Sequence, residues 1–325
     1  MVTKVVNLIM KAYKVFVLLL LCVSQSSLLF AQEDMLKLLN EQDTLTGKEF
    51  VNPAFKTSRI INLQTAEVLK KKLLDVKISH RFSAIGVSSN GTSSYHNLWG
   101  FDESSDIRIS FDYGLTNNWN IGFARSKYFE NWELNSKYKF LSQRRDNSTP
   151  ITASFFGVAT YSSKQNPVYT FDSPSVNQEL KRHFSFACQL ILSRKMSDRL
   201  SIEVSPIYIH RNFVNQYDNN EAFALGAGGR FRITKRMSVI ADYVLNLGDY
   251  RKVGNANGYF NPLGLGLEFE TGGHVFSLMF TNAPSITETV FITDTRDTWT
   301  KGGMRFCFTI SRVFDFSKKK VKPEE

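Results

Sequence analysis

Residues 304–316 read MRFCFTISRVFDF, in which Met304, Phe306, Phe308 and Ile310 alternate with Arg305, Cys307, Thr309 and Ser311. Successive side chains of a strand point to opposite faces, so this period describes a ribbon with one apolar and one wet face. Its length suits a tilted strand that crosses a bilayer. Two settings use such a ribbon: the cover of an ordinary core, or a wall between lipid and water.

The same period recurs from residue 73 onward. Twelve runs carry it: LLDVKISHRF (73–82), SDIRISFDYG (105–114), WNIGFARS (119–126), NWELNSKYKF (131–140), ITASFFGVATY (151–161), HFSFACQLILS (183–193), LSIEVSPIYIH (200–210), AFALGAGGRFRI (222–233), MSVIADYVLNL (237–247), PLGLGLEFE (262–270), HVFSLMFT (274–281) and the opening stretch. The aromatic content is 13%, including 27 Phe, yet mean hydropathy is −0.21. Interleaving polar with apolar residues gives that combination.

The links sort by parity. After runs 2, 4, 6, 8 and 10 they are short (LTNN, SQRRDNSTP, KMSDR, TKR, TGG). After runs 1, 5, 7, 9 and 11 they are long and rich in Asn, Asp, Ser and Gly, with the link near KYFE after run 3 the short exception. Short turns on one rim and long loops on the other mark an up-and-down membrane barrel. One hairpin unit is also reused: Leu115 to Ile121, Met196 to Ile202 and Ile233 to Val239 share the order apolar, hydroxyl, two polar, apolar, small polar, β-branched. The hydroxyls suit turn-forming bonds to nearby backbone.

Sorting the runs by parity separates two surfaces. Leu74, Val76, Ile78, Ile107, Ile109, Phe111, Ile121, Phe123, Leu134, Phe186, Leu190, Ile202, Val204, Leu265 and Leu267 share one. The other carries Lys77, Arg81, Arg108, Glu133, Lys137, Lys139, Glu203, Arg230, Arg232, Glu268 and Arg305, the candidate lumen-lining set, together with Asp75, Asp106, Asp112, Asp242 and Glu270. Aromatic girdles place the oily set in lipid: Tyr113, Trp119, Phe314 and Phe316 at one rim, Trp132 and Trp299 at the other. A bilayer also demands internal pairing of every backbone polar group, and without a helical span only a closed sheet supplies it. The expected fold is therefore all-β, a closed antiparallel up-and-down transmembrane barrel of about 12 strands over residues 73–316.

The termini read differently. Lys4, Lys11 and Lys14 precede VFVLLLLCV, and SQSS leads to LLFAQ, an export signal over 1–31 with Ala31 the last residue removed. A lipid on Cys22 is disfavoured by the bulky Leu21 before it. Residues 32–72 hold EDMLKLLNEQ, a candidate short helix, and FVNPAFKTSRIIN, a candidate extended segment. They read as a periplasmic tether or, more sharply, as a plug or gate in the lumen. Residues 317–325 form a charged periplasmic tail. The signal and tail account for half of the formal net charge of +10, and what is left is spread along the chain without the concentrated basic face that nucleic acid would need.

Other chemistry is weakly encoded. His183, Ser185 and His210 share a rim, which admits a lipid hydrolase, but no orienting third group or nucleophile elbow accompanies them. GAGGRF (226–231) lacks the helix of a phosphate loop, and its glycines read as allowing strand curvature. Cys188 and Cys307 fall on opposite faces of different strands, and neither a cofactor nor a metal cluster is indicated.

KTSRIIN (56–62), LLDVKISHRF, the hairpin series and GMRFCFTISRVF (303–314) together resemble an uncharacterised outer-membrane β-barrel family of Bacteroidota, and LFAQ is similar to that phylum's export sites. The resemblance covers nearly all of the mature chain. It implies a Gram-negative outer membrane as the location and outer-membrane lipid as the surroundings, and it brings no substrate or catalytic residue. The aromatic end of the last run is similar to the signal read by barrel-assembly machinery, although a charged tail follows Phe316. The leading expectation is a narrow channel or transporter for small polar solutes, with a closed structural or surface-binding barrel as the alternative and the lipid hydrolase third.

Overall fold

The computed structural model describes residues 49–86, 98–164, 180–214, 218–251, 253 and 258–317. The export signal, the candidate helix EDMLKLLNEQ and the tail beyond Ser317 lie outside the described residues. Twelve strands occur: β1 (Leu73–Ala84), β2 (Ser104–Gly114), β3 (Trp119–Ser126), β4 (Asn131–Leu141), β5 (Thr152–Ser162), β6 (Phe184–Lys195), β7 (Leu200–Arg211), β8 (Glu221–Arg232), β9 (Met237–Asn246), β10 (Leu263–Thr271), β11 (His274–Thr281) and β12 (Arg305–Asp315). Each pairs antiparallel with its neighbours in chain order, and β1 closes on β12. At the seam Ile78 lies opposite Ile109 on one side and Ile310 on the other.

Alternation fixes which way each strand faces. In β2, Ile107, Ile109 and Phe111 are exposed while Asp106, Arg108 and Ser110 are buried. The same inversion runs through Ile121 and Phe123, Ile202 and Val204, and Leu265 and Leu267. A polar interior wrapped in a continuous apolar band is what hydrocarbon selects, and closure leaves no unpaired strand edge in the oil. Trp119 and Phe316 are exposed at the turn end and Trp132 at the loop end, the last within 5.0 Å of the Arg125 guanidinium. Trp299 departs from the girdle: it is half-buried in the β11–β12 connection and its indole N–H donates to the Leu263 carbonyl at 3.2 Å.

The reused hairpin unit makes the bonds its hydroxyls suggest. Thr116 Oγ1 accepts from the Asn118 N–H, Ser197 Oγ from the Arg199 and Leu200 N–H, and Thr234 Oγ1 from the Arg236 and Met237 N–H, all between 3.0 and 3.2 Å. These turns define one end of the barrel, and the long loops define the other. Cys188 faces outward and is half-buried, Cys307 faces inward and is buried, and both are free.

Candidate functional site

The lumen is filled from both ends. From the turn end, the chain runs along the β4–β5 connection, where the Val51 N–H donates to the Gln143 carbonyl at 2.9 Å. It then enters the barrel and folds into a small hairpin, closed by Ile60 N–H to Leu63 carbonyl at 2.8 Å and Thr65 N–H to Ser58 carbonyl at 2.9 Å. Three successive amides at its tip, Ile61, Asn62 and Leu63, all donate to Asp242 Oδ2 of β9, and Asn62 Nδ2 donates to Asp242 Oδ1 at 2.7 Å. Consecutive N–H groups converging on one carboxylate form an anion nest, so Asp242 anchors the tip. Lys137 donates to the Ser58 and Thr65 carbonyls at 3.0 and 2.9 Å, and Lys77 to Ser58 Oγ at 2.8 Å.

From the loop end, the β11–β12 connection folds inward and carries a short helix, α1 (Glu288–Phe291), that packs against β6 and β7. Asp106 accepts from Ser285 Oγ and the Ile286 N–H at 2.9 and 2.8 Å, and Glu133 accepts from Thr287 Oγ1 at 2.6 Å while pairing with Arg108 at 2.7 Å. The two inserted segments are tied together. Arg59 pairs with Glu288, Gln64 Nε2 donates to Glu288 Oε1 at 2.8 Å, and Arg81 spans Asn62 Oδ1 and the Ala283 and Ser285 carbonyls.

The candidate lumen-lining residues therefore face inward, but onto protein. Lys77, Arg81, Arg108, Glu133 and Lys137 hold the inserted segments as described, and Lys77 also pairs with Asp75 and Asp112. Arg230 pairs with Glu268 and Glu270, each at 2.7 Å, and Arg305 pairs with Asp297 and donates to the Asn282 carbonyl at 2.8 Å. Glu203 is buried. Lys139 and Arg232 sit half-buried at the turn ends of β4 and β8.

Parity sorting missed a second inner surface. Phe156, Val158, Ala187, Ile191, Ile207, Ile209 and Val244 face inward from β5, β6, β7 and β9, and they bury Leu63 and Ala66 of the hairpin together with Phe291 and Ile292 of the loop. Its signal was present in Phe155-Phe156, Leu190-Ile191-Leu192 and Ile207-Tyr208-Ile209, since a strand apolar on both parities is covered on both faces. The glycines have a further role for the same reason. A Cβ on Gly226 would stand 2.7 Å from Leu63 Cδ2, one on Gly228 2.4 Å from Ile60 Cδ1, and one on Gly264 2.8 Å from Ile61 Cγ2. These glycines make room for the hairpin.

Above the apolar layer lies a polar row at the loop end. Cross-strand pairing sets Glu133 opposite Thr160, Thr160 opposite Ser185 and Ser185 opposite Arg211. The row borders a cavity of about 320 Å³ whose floor includes Thr289, Val290 and Thr293 of the inserted loop. His183 and Ser185 line it, and His183 Nδ1 lies 2.6 Å from the Ser162 carbonyl. His210 does not join them: it stands opposite Phe186 on the outer face, with Nε2 3.0 Å from Asn212 Oδ1. Burial pushes the Asp294 carboxyl above its usual range despite Arg296 at 3.0 Å, and burial pushes the Tyr128 hydroxyl up to about 12. Among the described residues no group of three His, Cys, Asp or Glu side chains could hold a metal ion, and no helix is long and apolar enough to cross a membrane.

Among solved structures, porins and an outer-membrane channel are similar to this chain. The NanC porin shares 11% identity at a TM-score of 0.43, covering 74% of this chain and 98% of its own. The KdgM porin shares 8% at 0.45, covering 74% and 99%. An outer-membrane channel from Pseudomonas putida F1 shares 10% at 0.44, covering 76% and 97%. No curated protein matches by sequence. The family described as membrane bound beta barrel domain (DUF5777) matches residues 55–314, which takes in the inserted hairpin as well as nearly the whole span of strands. The chain is a membrane-bound β-barrel and belongs to that family.

Proposed function

We propose that this protein is an outer-membrane barrel closed at rest, sealed along its lumen and meeting its surroundings through the loop-end mouth. One observation carries the reading: the same pair of inserted segments matches two unlike sets of inward side chains. Asp242, Lys137 and Arg81 meet backbone polar groups, while Leu63, Phe291 and Ile292 meet Phe156, Ile191, Ile207 and Ile209. A standing aqueous pore would leave those apolar inner side chains wet, at roughly 1.5–3 kcal/mol for each large one. Export by a leader ending at Ala31, and assembly by machinery that reads the Phe314 to Phe316 end of β12, belong to the same proposal.

A second reading is a gated passage for small polar solutes, in which the hairpin withdraws toward the periplasm. It is favoured by the charged side of the lumen, where Lys77 and Lys137 hold the segment by hydrogen bonds that water can replace at modest net cost. Those lysines and Arg108 would then set selectivity. Lipid hydrolysis gains no support, because His210 lies on the face away from Ser185.

Planar-bilayer recording separates the readings. The mature chain is expected to be silent, and a chain lacking residues 49–66 to show conductance steps. Steady steps from the mature chain would overturn closure at rest, whereas brief openings that become permanent on deletion would favour the gated passage.

A further inference from the structure

The cavity at the loop-end mouth carries chemistry that a sealed barrel does not need. Three of its lining residues hold a buried polar atom without a hydrogen-bond partner: Arg211 Nε, Asn131 Nδ2 and Thr160 Oγ1. The first two only donate and the third is able to, so the group that completes them must bring acceptors. Charge points the same way. Arg211 and Arg251 both pair with the single carboxylate of Asp218, and Arg296 pairs with Asp294. Two guanidiniums on one carboxylate leave a positive charge over, and Lys164 on the same cavity adds to it. In a concave site with low-dielectric walls such an excess concentrates anions.

The remaining lining fits the body of a small polar molecule. Ser162, Ser185 and Thr293 offer hydroxyls, and Tyr259 and Phe129 offer rings, with the Arg296 guanidinium 3.8 Å from the Tyr259 ring centre. The volume of about 320 Å³ is at the small end for ligand pockets. Beneath it, Val158, Ala187, Ile209 and Ala222 pair in one apolar row packed with Phe291 and Ile292. A molecule that docks here meets a closed floor.

We propose that this mouth cavity is a blind binding pocket for a small organic oxyanion, about the size of a single hexose and bearing a carboxylate or phosphate, with Arg211, Asn131 and Thr160 as the donors that select it. The pocket stands whether or not the lumen ever opens, so its test is separate from the conductance experiment. Three sugars that differ mainly in charge serve as probes: glucuronate, glucose 6-phosphate and glucose. None partitions into detergent micelles. Titration calorimetry on the detergent-solubilised mature protein should give saturable binding of one or both anions and none of glucose, and the stronger anion tells carboxylate from phosphate. Arg211→Gln should weaken the anion at least tenfold. Because that change also breaks the pair with Asp218, Thr160→Val and Asn131→Leu provide a second arm, each expected to weaken binding severalfold with unchanged thermal unfolding. Absence of saturable binding by either anion, equal binding of glucose, or variants that bind like the parent would overturn the assignment and leave water as the partner of the three donors.

Discussion

The lumen is closed by two kinds of contact that follow different physics. Around β1 to β4, charged side chains reach inward and hold the inserted segments through ion pairs and hydrogen bonds, as at Arg108, Glu133 and Thr287. Around β5 to β9, Phe156, Val158, Ala187, Ile191, Ile207, Ile209 and Val244 form an apolar layer packed on Leu63, Phe291 and Ile292, set among inward polar residues such as Gln189, Glu203 and Asp242. One hairpin serves both, because Lys137 of β4 binds its Ser58 and Thr65 carbonyls and Asp242 of β9 its tip amides, while the Leu63 side chain packs into the apolar layer. A barrel wall polar all round would hold water as readily as protein. The asymmetry gives the inserted segments a hydrophobic reason to stay.

The comparison breaks most sharply at the charged wall. Arg108→Leu leaves Glu133 buried without its guanidinium, and losing one partner of a buried pair costs about 3–5 kcal/mol. Denaturant unfolding in lipid should show that loss, and Arg108→Leu combined with Glu133→Leu should recover most of it. Equal losses in the single and double variants would mean that pairing is not what this wall contributes.

Leu63→Ala tests the other side. A fully buried leucine cut to alanine costs about 2–5 kcal/mol, here expected chiefly as release of the hairpin rather than melting of the strands. Limited proteolysis at residues 49–72 should accelerate while the barrel fragment survives. A smaller effect is expected for Gly228→Leu, which overfills the space occupied by Ile60 Cδ1 and should cost about 1–3 kcal/mol, read by the same cleavage. If cleavage is unchanged, the close approach of hairpin and β8 is wrong.

The smallest expected effect is on pH dependence and concerns the inserted loop. Asp294 has a folded-state pKa above its unfolded value because of burial. Its folded form therefore holds the proton more tightly, and packing gains stability as pH falls through the folded pKa and loses it as pH rises. Cleavage within residues 282–304 should be slower at pH 5 than at pH 8, and Asp294→Asn should abolish the difference. A loop equally resistant at both values in the parent would remove Asp294 from the explanation.

Strand positions were legible because lipid enforces alternation on the outer face: runs such as 119–126 and 274–281 coincide with β3 and β11 residue for residue. The inner face obeys no such rule. Lys77 and Arg108 were readable as inward-facing, but whether they met water or protein depended on a segment more than ten residues away in sequence and on a loop from the far end of the chain. Gly226, Gly228 and Gly264 illustrate the limit: a missing side chain is visible in a sequence, while the neighbour that needs the space is not. The mouth cavity was hidden for the same reason, since Thr160, Ser185 and Arg211 become neighbours only through strand register.

Hydrogen exchange at the Ile61, Asn62 and Leu63 amides of the membrane-embedded protein tests the filled lumen most directly. Bound to Asp242 in the barrel interior, these amides should be protected to the degree of the β9 strand itself. Exchange at the rate of unstructured chain, in a barrel whose strand amides remain protected, would contradict it.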